Sequence, residues 1–530
     1  MLRLLPARFD VAQRLGSHAV VNGLIGRGPW ARLWLRWRLR WRPGWRLGGP
    51  RVTNVKPAWA LRPMAGADIR PIWEANRWAE LPRSALEGRG GEIAPWLDSW
   101  LAANPPFLGP NWGCGQEAAL RALHLALAAR LSSVTAPRAV MASLARRIGA
   151  NPAYALAQDN NHPISEAAGL LVCGLALQDA SLAARGARRL DTSIARLVAE
   201  DGSFAQASPA YHRMLLDVMA VTQWLRREGP PAAPLTQRRM AAATLWLHRL
   251  ACPQTGRLPR IGHQDGSHVA DLSGAGPDDA RASLERAARI FCGASAGWPD
   301  DPGCAAMGLP LPDARLTAAG DWRGAGFLGR RSGHARAILR TGPLRFRPGH
   351  ADLLHLDVWA GSANLLRDGG TGAYNPADPG WINLFQGTQA HNIICFDGED
   401  QMPRLGPFLF SHWPETGDLP DGAWLRDHRG RTQAREVFAE PWGFRVEDRI
   451  GGPFAQAVLR WRLAPGDWRL TEDGVAGPAA TIRIAADGPF VLRFLGGVES
   501  LAYGQASALP VLEVGLVAAD SRITTKILIS

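Results

Sequence analysis

At 530 residues the chain is long enough for two or three domains, and a composition of 46% hydrophobic and 20% charged residues excludes an intrinsically disordered protein. The formal charge is +13, yet the cations are almost all Arg, with Lys only at Lys56 and Lys526. That skew reflects an Arg- and Ala-rich coding bias first, but basic charge still favours an anionic partner, either an acidic glycan or a membrane surface. With no nucleic-acid fold signature beside it, no nucleic-acid partner is expected.

Residues 1–62 read as a basic arm rich in Trp and Arg. It opens Met1-Leu2-Arg3-Leu4-Leu5, but Pro6, Arg8 and Asp10 interrupt it before an apolar stretch develops. No secretory signal and no bilayer-spanning run are expected, so the expected location is cytoplasmic. Trp30, Trp34, Trp37 and Trp41 fall at helical spacing, while Leu35 to Arg42 alternates apolar and basic, which leaves helix and strand both open. Such a segment either packs its Trp face on the body, as Trp commonly does, or rests on a membrane surface or an acidic polymer.

From 63 to 300 apolar residues recur every three to four positions. Helices are predicted at 68–80, 91–103, 116–131, 137–147, 163–180, 182–199, 209–227, 235–250 and 278–292, with Pro63, Pro82, Pro105-Pro106, Pro152 and Pro230-Pro231 as breakers. Successive antiparallel pairs predict an α/α toroid, an incomplete helical barrel. A Gly- and Pro-rich linker at 301–320 leads to 321–530, where short alternating segments such as Ala335–Arg340, Leu354–Trp359 and Trp442–Glu447 predict an antiparallel β-sandwich. Helices first and strands second imply an α+β multidomain protein. The six cysteines lie far apart with no CxxC pair, against both a cysteine metal site and a dense disulfide framework.

Four separated clusters carry chemistry: Asn160-Asn161-His162, Tyr211-His212-Arg213, His350-Ala351-Asp352 with Asp368, and His391-Asn392. Two lie in each half, so chemistry shared among them falls at a domain interface. An Asn ahead of Pro163 caps a helix, and a helix N-terminus is itself an anion site. Tyr211 opens a helix beside Arg213, whose charge would favour a phenolate. His350, Asp368 and His391 offer metal donors; alternatively His350 bonds Asp352 locally and Asp368 belongs to the Asp368-Gly369-Gly370 turn. Glu117 and Arg121 are expected to pair at four-residue spacing. His263, Asp265 and His268 are expected in a solvated loop, with Arg260 a candidate for a substrate carboxylate.

Several phrases in order resemble the heparinase II/III-like family of polysaccharide lyases, which includes alginate lyases. They are Trp73-Glu74 with Arg77-Trp78; Asn104-Pro105-Pro106, Asn111-Trp112, Glu117 and Arg121; Asn160-Asn161-His162; Asp201-Gly202-Ser203 through Ser208 to Tyr211-His212; Arg347-Pro348 to Asp352; and His391-Asn392 with Asp397-Gly398. The resemblance implies a toroid followed by a β-sandwich, and cleavage of a uronate polysaccharide by β-elimination to 4,5-unsaturated ends. It implies Asn161, His162 and Tyr211 as catalytic residues, with either His162 or Tyr211 as the base. Asn160, His212, Arg260 and His355 are then the substrate contacts. His350, Asp368 and His391 would hold one structural zinc, with no organic cofactor.

The sequence departs from the family at Pro348, where better-known members have the first His of His-x-His. That departure leaves two alternatives: a glycan-binding or processing protein in exopolysaccharide production, or a glycoside hydrolase on the same scaffold, although hydrolases use paired carboxylates. Many relatives work in the periplasm, which is the alternative location. The oligomeric state stays open.

Overall fold

A computed structural model describes residues 5–27, 29–39, 68–227, 229–317, 320–324, 326–406, 408–517 and 520–530. Its helices are α1 (Leu5–Arg27), α2 (Pro29–Leu39), α3 (Arg70–Ala75), α4 (Glu80–Leu86), α5 (Ile93–Ala103), α6 (Gly115–Leu131), α7 (Arg138–Ala150), α8 (Pro152–Leu156), α9 (Asn161–Leu177), α10 (Ala180–Leu197), α11 (Pro209–Leu225), α12 (Pro234–Leu250), α13 (Arg281–Ala287), α14 (Pro302–Ala306) and α15 (Gly380–Gln386). From α3 to α13 they form the toroid. Small residues set its tightest contacts: a Cβ at Gly174 of α9 would stand 2.3 Å from the Ala183 nitrogen, and one at Gly186 of α10 would stand 2.3 Å from that of Leu171. Close approach of α9 to α10, and of α6 to α9, fixes where the α9 N-terminus points.

The helix expected at 68–80 is two pieces, because Trp78 takes a left-handed conformation (φ 64°) between α3 and α4. Pro82 breaks nothing: it is the third residue of α4, where a missing N–H leaves no intrahelical bond unmade. Pro152 likewise opens α8. The helix expected at 278–292 is α13 followed by one π turn over Ala288–Cys292. Pro63 lies outside the described residues.

The second half is an antiparallel β-sandwich. A five-stranded sheet runs in chain order from Trp322–Gly324 to Ala363–Leu366, and the bridge Leu366–Leu463 joins it to a four-stranded sheet. An eight-stranded sheet spans Glu415–Leu419 to Ser521–Ile529. Alternation does the layering: Gln433, Arg435 and Val437 are buried in Thr432–Glu440, Phe444, Val446, Asp448 and Ile450 in Gly443–Gly451, and Val437 pairs with Val446 across the strands. Leu328, Leu356, Val437, Phe444, Leu459 and Trp461 share one core.

The arm is helical where described, which resolves the period left open at Leu35 to Arg42 as far as Leu39; Trp41 and the remainder to residue 67 lie outside the described residues. Its Trp face does not pack on the body. Trp30, Trp34 and Trp37 are 77%, 47% and 65% exposed. Among the described residues, no helix is long and apolar enough to cross a membrane.

Candidate active site

The N-terminus of α9 is capped by Asn160, whose Oδ1 accepts the His162 N–H at 3.0 Å. Helix therefore begins two residues earlier than predicted, and the cap is the residue expected to touch substrate. Asn161 is buried and donates to Gln116 Oε1 at 2.9 Å and to Met214 Sδ at 3.5 Å, tying α9 to α6 and α11. His162 sets Nδ1 3.9 Å from Cys114 Sγ and lies edge-on to Tyr154. Burial brings its pKa down to about 4, so the ring is neutral at physiological pH.

Tyr211 sits one turn into α11, where the Ser208 hydroxyl caps the helix by accepting its N–H. Its phenol is 2.8 Å from Asp265 Oδ2 and 2.9 Å from the Tyr374 hydroxyl, which comes from the sandwich. Burial would raise the Asp265 pKa, but Arg70, donating through Nε at 2.6 Å, outweighs it and holds the carboxyl well below its usual range. Asp265 is then acceptor-only, so Tyr211 must give it its single proton and must accept that of Tyr374. Burial and the Asp265 charge push the Tyr211 pKa well above 10. The arginine that opposes this is Arg70. Arg213, expected to favour a phenolate, instead donates to Ser283 and to the carbonyls of Gly276 and Pro277.

A buried frame holds this cluster. Ser267 Oγ accepts from both Arg70 and Arg77, and Arg77 grips Glu117 with two bonds of 2.8 and 2.9 Å. Glu117 therefore pairs with Arg77 and not with Arg121, which donates to the carbonyls of Asn76 and Asn111 amid Trp78, Trp100 and Trp112. From the sandwich side, the Tyr374 N–H donates to the Tyr503 hydroxyl at 2.7 Å, and Tyr503 donates to Asp68.

Three strand-end loops bring His350, Asp368 and His391 together, with one donor atom from each within 4.8 Å of the others. Asp368 takes the turn foreseen for it, Oδ1 accepting the Gly370 N–H at 2.8 Å, and its Oδ2 lies 2.7 Å from His391 Nδ1. His350 does not bond Asp352, and both its ring nitrogens are buried without a partner, as is His391 Nε2. Burial lowers the His391 pKa, but Asp368 outweighs it and the ring is held protonated more strongly than usual. A divalent cation fits here: it would take the place of that proton and satisfy the orphaned nitrogens. A second donor set, Cys114, His162 and Glu166, is also within 4.8 Å. Burial pushes the Cys114 thiol up to about 12 and the Glu166 carboxyl up to about 8, so a metal there would have to displace two protons, which favours the first set.

Between the clusters lies a partly open cavity lined by Gln206, Ser208, His263, Arg345, Arg347 and His350 among others. His263 is not in a solvated loop. It is 5% exposed, its ring crosses those of His350 and Tyr374 at 5.0 and 5.3 Å, and its Nε2 has no partner. It packs so closely on Gly349 that a Cβ there would stand 2.6 Å from Nδ1. A histidine of the helical domain thus occupies space beside Pro348, where the family phrase has an imidazole of its own. Burial brings its pKa to about 4.

The other expected contacts stand apart. His212 stacks on Trp246 at 4.5 Å and bonds the Ala243 carbonyl. Arg260 donates to the Leu501 carbonyl across the domain boundary and to Asp278 of its own domain. His355 is fully buried behind Asp368, its Nδ1 taking the Asn392 N–H. Sequence reasoning missed Tyr374 and set Asp265 and His263 aside. A signal existed, for the chain has only four tyrosines: Tyr211, Tyr374 and Tyr503 form one contact chain, and Tyr154 rests on His162.

Residues 314–500 match the sequence profile of the family described as heparinase II/III-like, C-terminal. The C-terminal domain is heparinase II/III-like. A solved heparinase III is similar to the chain with TM-score 0.65 and 13% identity, over 89% of this chain and 79% of that one. A heparan sulfate lyase of Pedobacter heparinus gives TM-score 0.55 and 17% identity, over 86% and 76%. At such identities the likeness is one of fold, and that fold is the toroid followed by the heparinase II/III-like sandwich. A search of curated proteins finds no match to the chain.

Proposed function

We propose that the protein is a polysaccharide lyase that cleaves a uronate-containing glycan by β-elimination in the interdomain cavity. The observation that carries this reading is the Tyr374–Tyr211–Asp265 chain: two phenols kept protonated beside a cavity with arginines on its wall. Elimination needs the substrate carboxylate neutralised, a base at C5 and an acid at the leaving oxygen. Arg347, which lines the cavity and whose charge also acts on His162, suits the carboxylate. Tyr211 suits the acid: it gives its proton to the C4 oxygen as that bond breaks and regains one through Tyr374. The unpartnered Nε2 of His263 takes the C5 proton, which removes the need for an imidazole at Pro348. Asn161 would join the carboxylate site only by giving up its contact to Met214.

A zinc ion on His350, Asp368 and His391 would fasten three loops around the cavity and act structurally. Paired carboxylates of hydrolase type are not what lines this cavity, which argues against hydrolysis. The test is incubation with heparan sulfate, alginate and other uronate polymers, following the ultraviolet absorbance of unsaturated uronate. Saturable binding with no new absorbance on any polymer would leave the glycan-binding alternative standing and the lyase reading overturned.

A further inference from the structure

The described part of the N-terminal arm is apolar on two opposite faces, and only one of them is used. α2 turns Ala31, Leu35 and Leu39 toward the toroid, where Ala31 and Leu39 are buried and Leu35 packs on the core. Arg146 clamps the helix end by donating to the Arg38 carbonyl, and Arg38 donates to that of Gly149. Spacing of four residues is the stripe by which a soluble helix buries one side, and the other side should then be polar. Instead it carries Trp30, Leu33, Trp34 and Trp37, exposed at 77%, 55%, 47% and 65%. α1 adds Val21, Leu24 and Ile25, all more than half exposed. Trp34 and Trp37 stack on one another at 5.3 Å, and the Arg38 guanidinium lies over the Trp34 ring.

Charge is as uneven as exposure. Residues 11–67 contain ten Arg, one Lys and no Asp or Glu, so this stretch alone supplies +11 of the chain's formal +13. An acidic glycan or an acidic protein patch would answer the cations but leave Val21, Leu24, Ile25 and Leu33 in water. A bilayer surface of anionic lipid answers both, with indoles and aliphatic side chains at the acyl boundary and guanidinium groups among the phosphates. We propose that the arm lies on an anionic lipid surface and holds the interdomain cleft beside it. The arm is joined to both domains already: Asn151 donates to the Gly26 carbonyl at 2.9 Å, the Arg27 guanidinium lies over the Tyr154 ring, that ring lies edge-on to His162, and Asp10 accepts the His412 N–H of the sandwich at 2.7 Å. This inference stands apart from the elimination chemistry.

The test is co-sedimentation of the full chain with phosphatidylcholine vesicles, with and without about one third phosphatidylglycerol. Binding is expected to the anionic vesicles, to weaken when salt rises from about 0.1 M to about 1 M, and to fall roughly tenfold or more in Trp30→Ser/Trp34→Ser/Trp37→Ser. Trp30→Ser alone, at the most exposed indole, should give a smaller loss. The indoles are exposed, so the melting temperature and any turnover of a soluble oligosaccharide should not change in these variants. Absence of binding to anionic vesicles, or equal binding by the triple variant, overturns the proposal. So does a triple variant that keeps its vesicle binding but loses self-association or retention on immobilised heparin, since the face would then serve a second copy or a glycan.

Discussion

Two polar clusters face each other across the cavity, and they differ in how far their hydrogen bonds are satisfied. Around Tyr211 every charge has a partner: Arg70 and Asp265, Arg77 and Glu117, and a phenol pair whose proton order is fixed by an ionised acceptor. Around His350 five ring nitrogens of buried histidines are orphaned, counting His263, His355, His391 and both of His350. A satisfied cluster is preorganised for one protonation pattern; an unsatisfied one is incomplete until something binds. On the proposed reading the first handles protons and the second receives a cation and a substrate.

The largest expected effect breaks the first cluster at its acid. Tyr211→Phe keeps the ring and removes the proton, and should lower the elimination rate by roughly 10²–10⁴ with metal content unchanged and a stability loss of about 1–3 kcal/mol from the orphaned Tyr374 hydroxyl; a variant of undiminished rate would end the assignment. Next, Asp265→Asn should cost about 3–5 kcal/mol in urea unfolding, because Arg70 is left buried with its main carboxylate neutralised. A change below about 1 kcal/mol would mean the cluster is not held by charge.

The second cluster is sharpened by His350→Ala. Wild type should carry about one equivalent of zinc, and the variant should lose it together with about 3 kcal/mol of stability at saturating metal. Metal analysis and melting with and without chelator decide this, and a zinc-free wild type that is stable and active refutes it. His263→Asn should lower the rate while leaving zinc bound, which separates the proposed base from the metal ligands. The smallest effect concerns Glu166, a buried carboxyl whose folded pKa is raised to about 8 from its usual 4.5. Its contribution is fully present below the unfolded value and is lost as pH rises through about 8, so stability should decline by about 2 kcal/mol between pH 6 and 8. Glu166→Gln should flatten that decline, measured as melting temperature against pH.

The halves of the molecule were legible in the sequence because helices and strands announce themselves by local periods of 3.6 and 2 residues. Helix starts were less so: α9 begins at Asn161 because the Asn160 side chain caps it, a contact that depends on a loop conformation no period encodes. His350, Asp368 and His391 could be picked out beforehand by residue type and order, and they do converge.

Sequence by itself also determined the arm's surplus of Trp and Arg, but only the folded chain decided which side of α2 faces the toroid and which is left bare. The same division holds at the candidate site. Tyr211 was visible as a residue, whereas its partners Asp265 and Tyr374 stand 54 and 163 positions away, and Arg70 reaches Asp265 across 195. These partners sit in loops or in the other domain, where no periodic pattern marks them. Their meeting follows from closing the toroid against the sandwich. Local sequence fixes which side chains are offered; the long-range packing of two domains decides which of them share a proton.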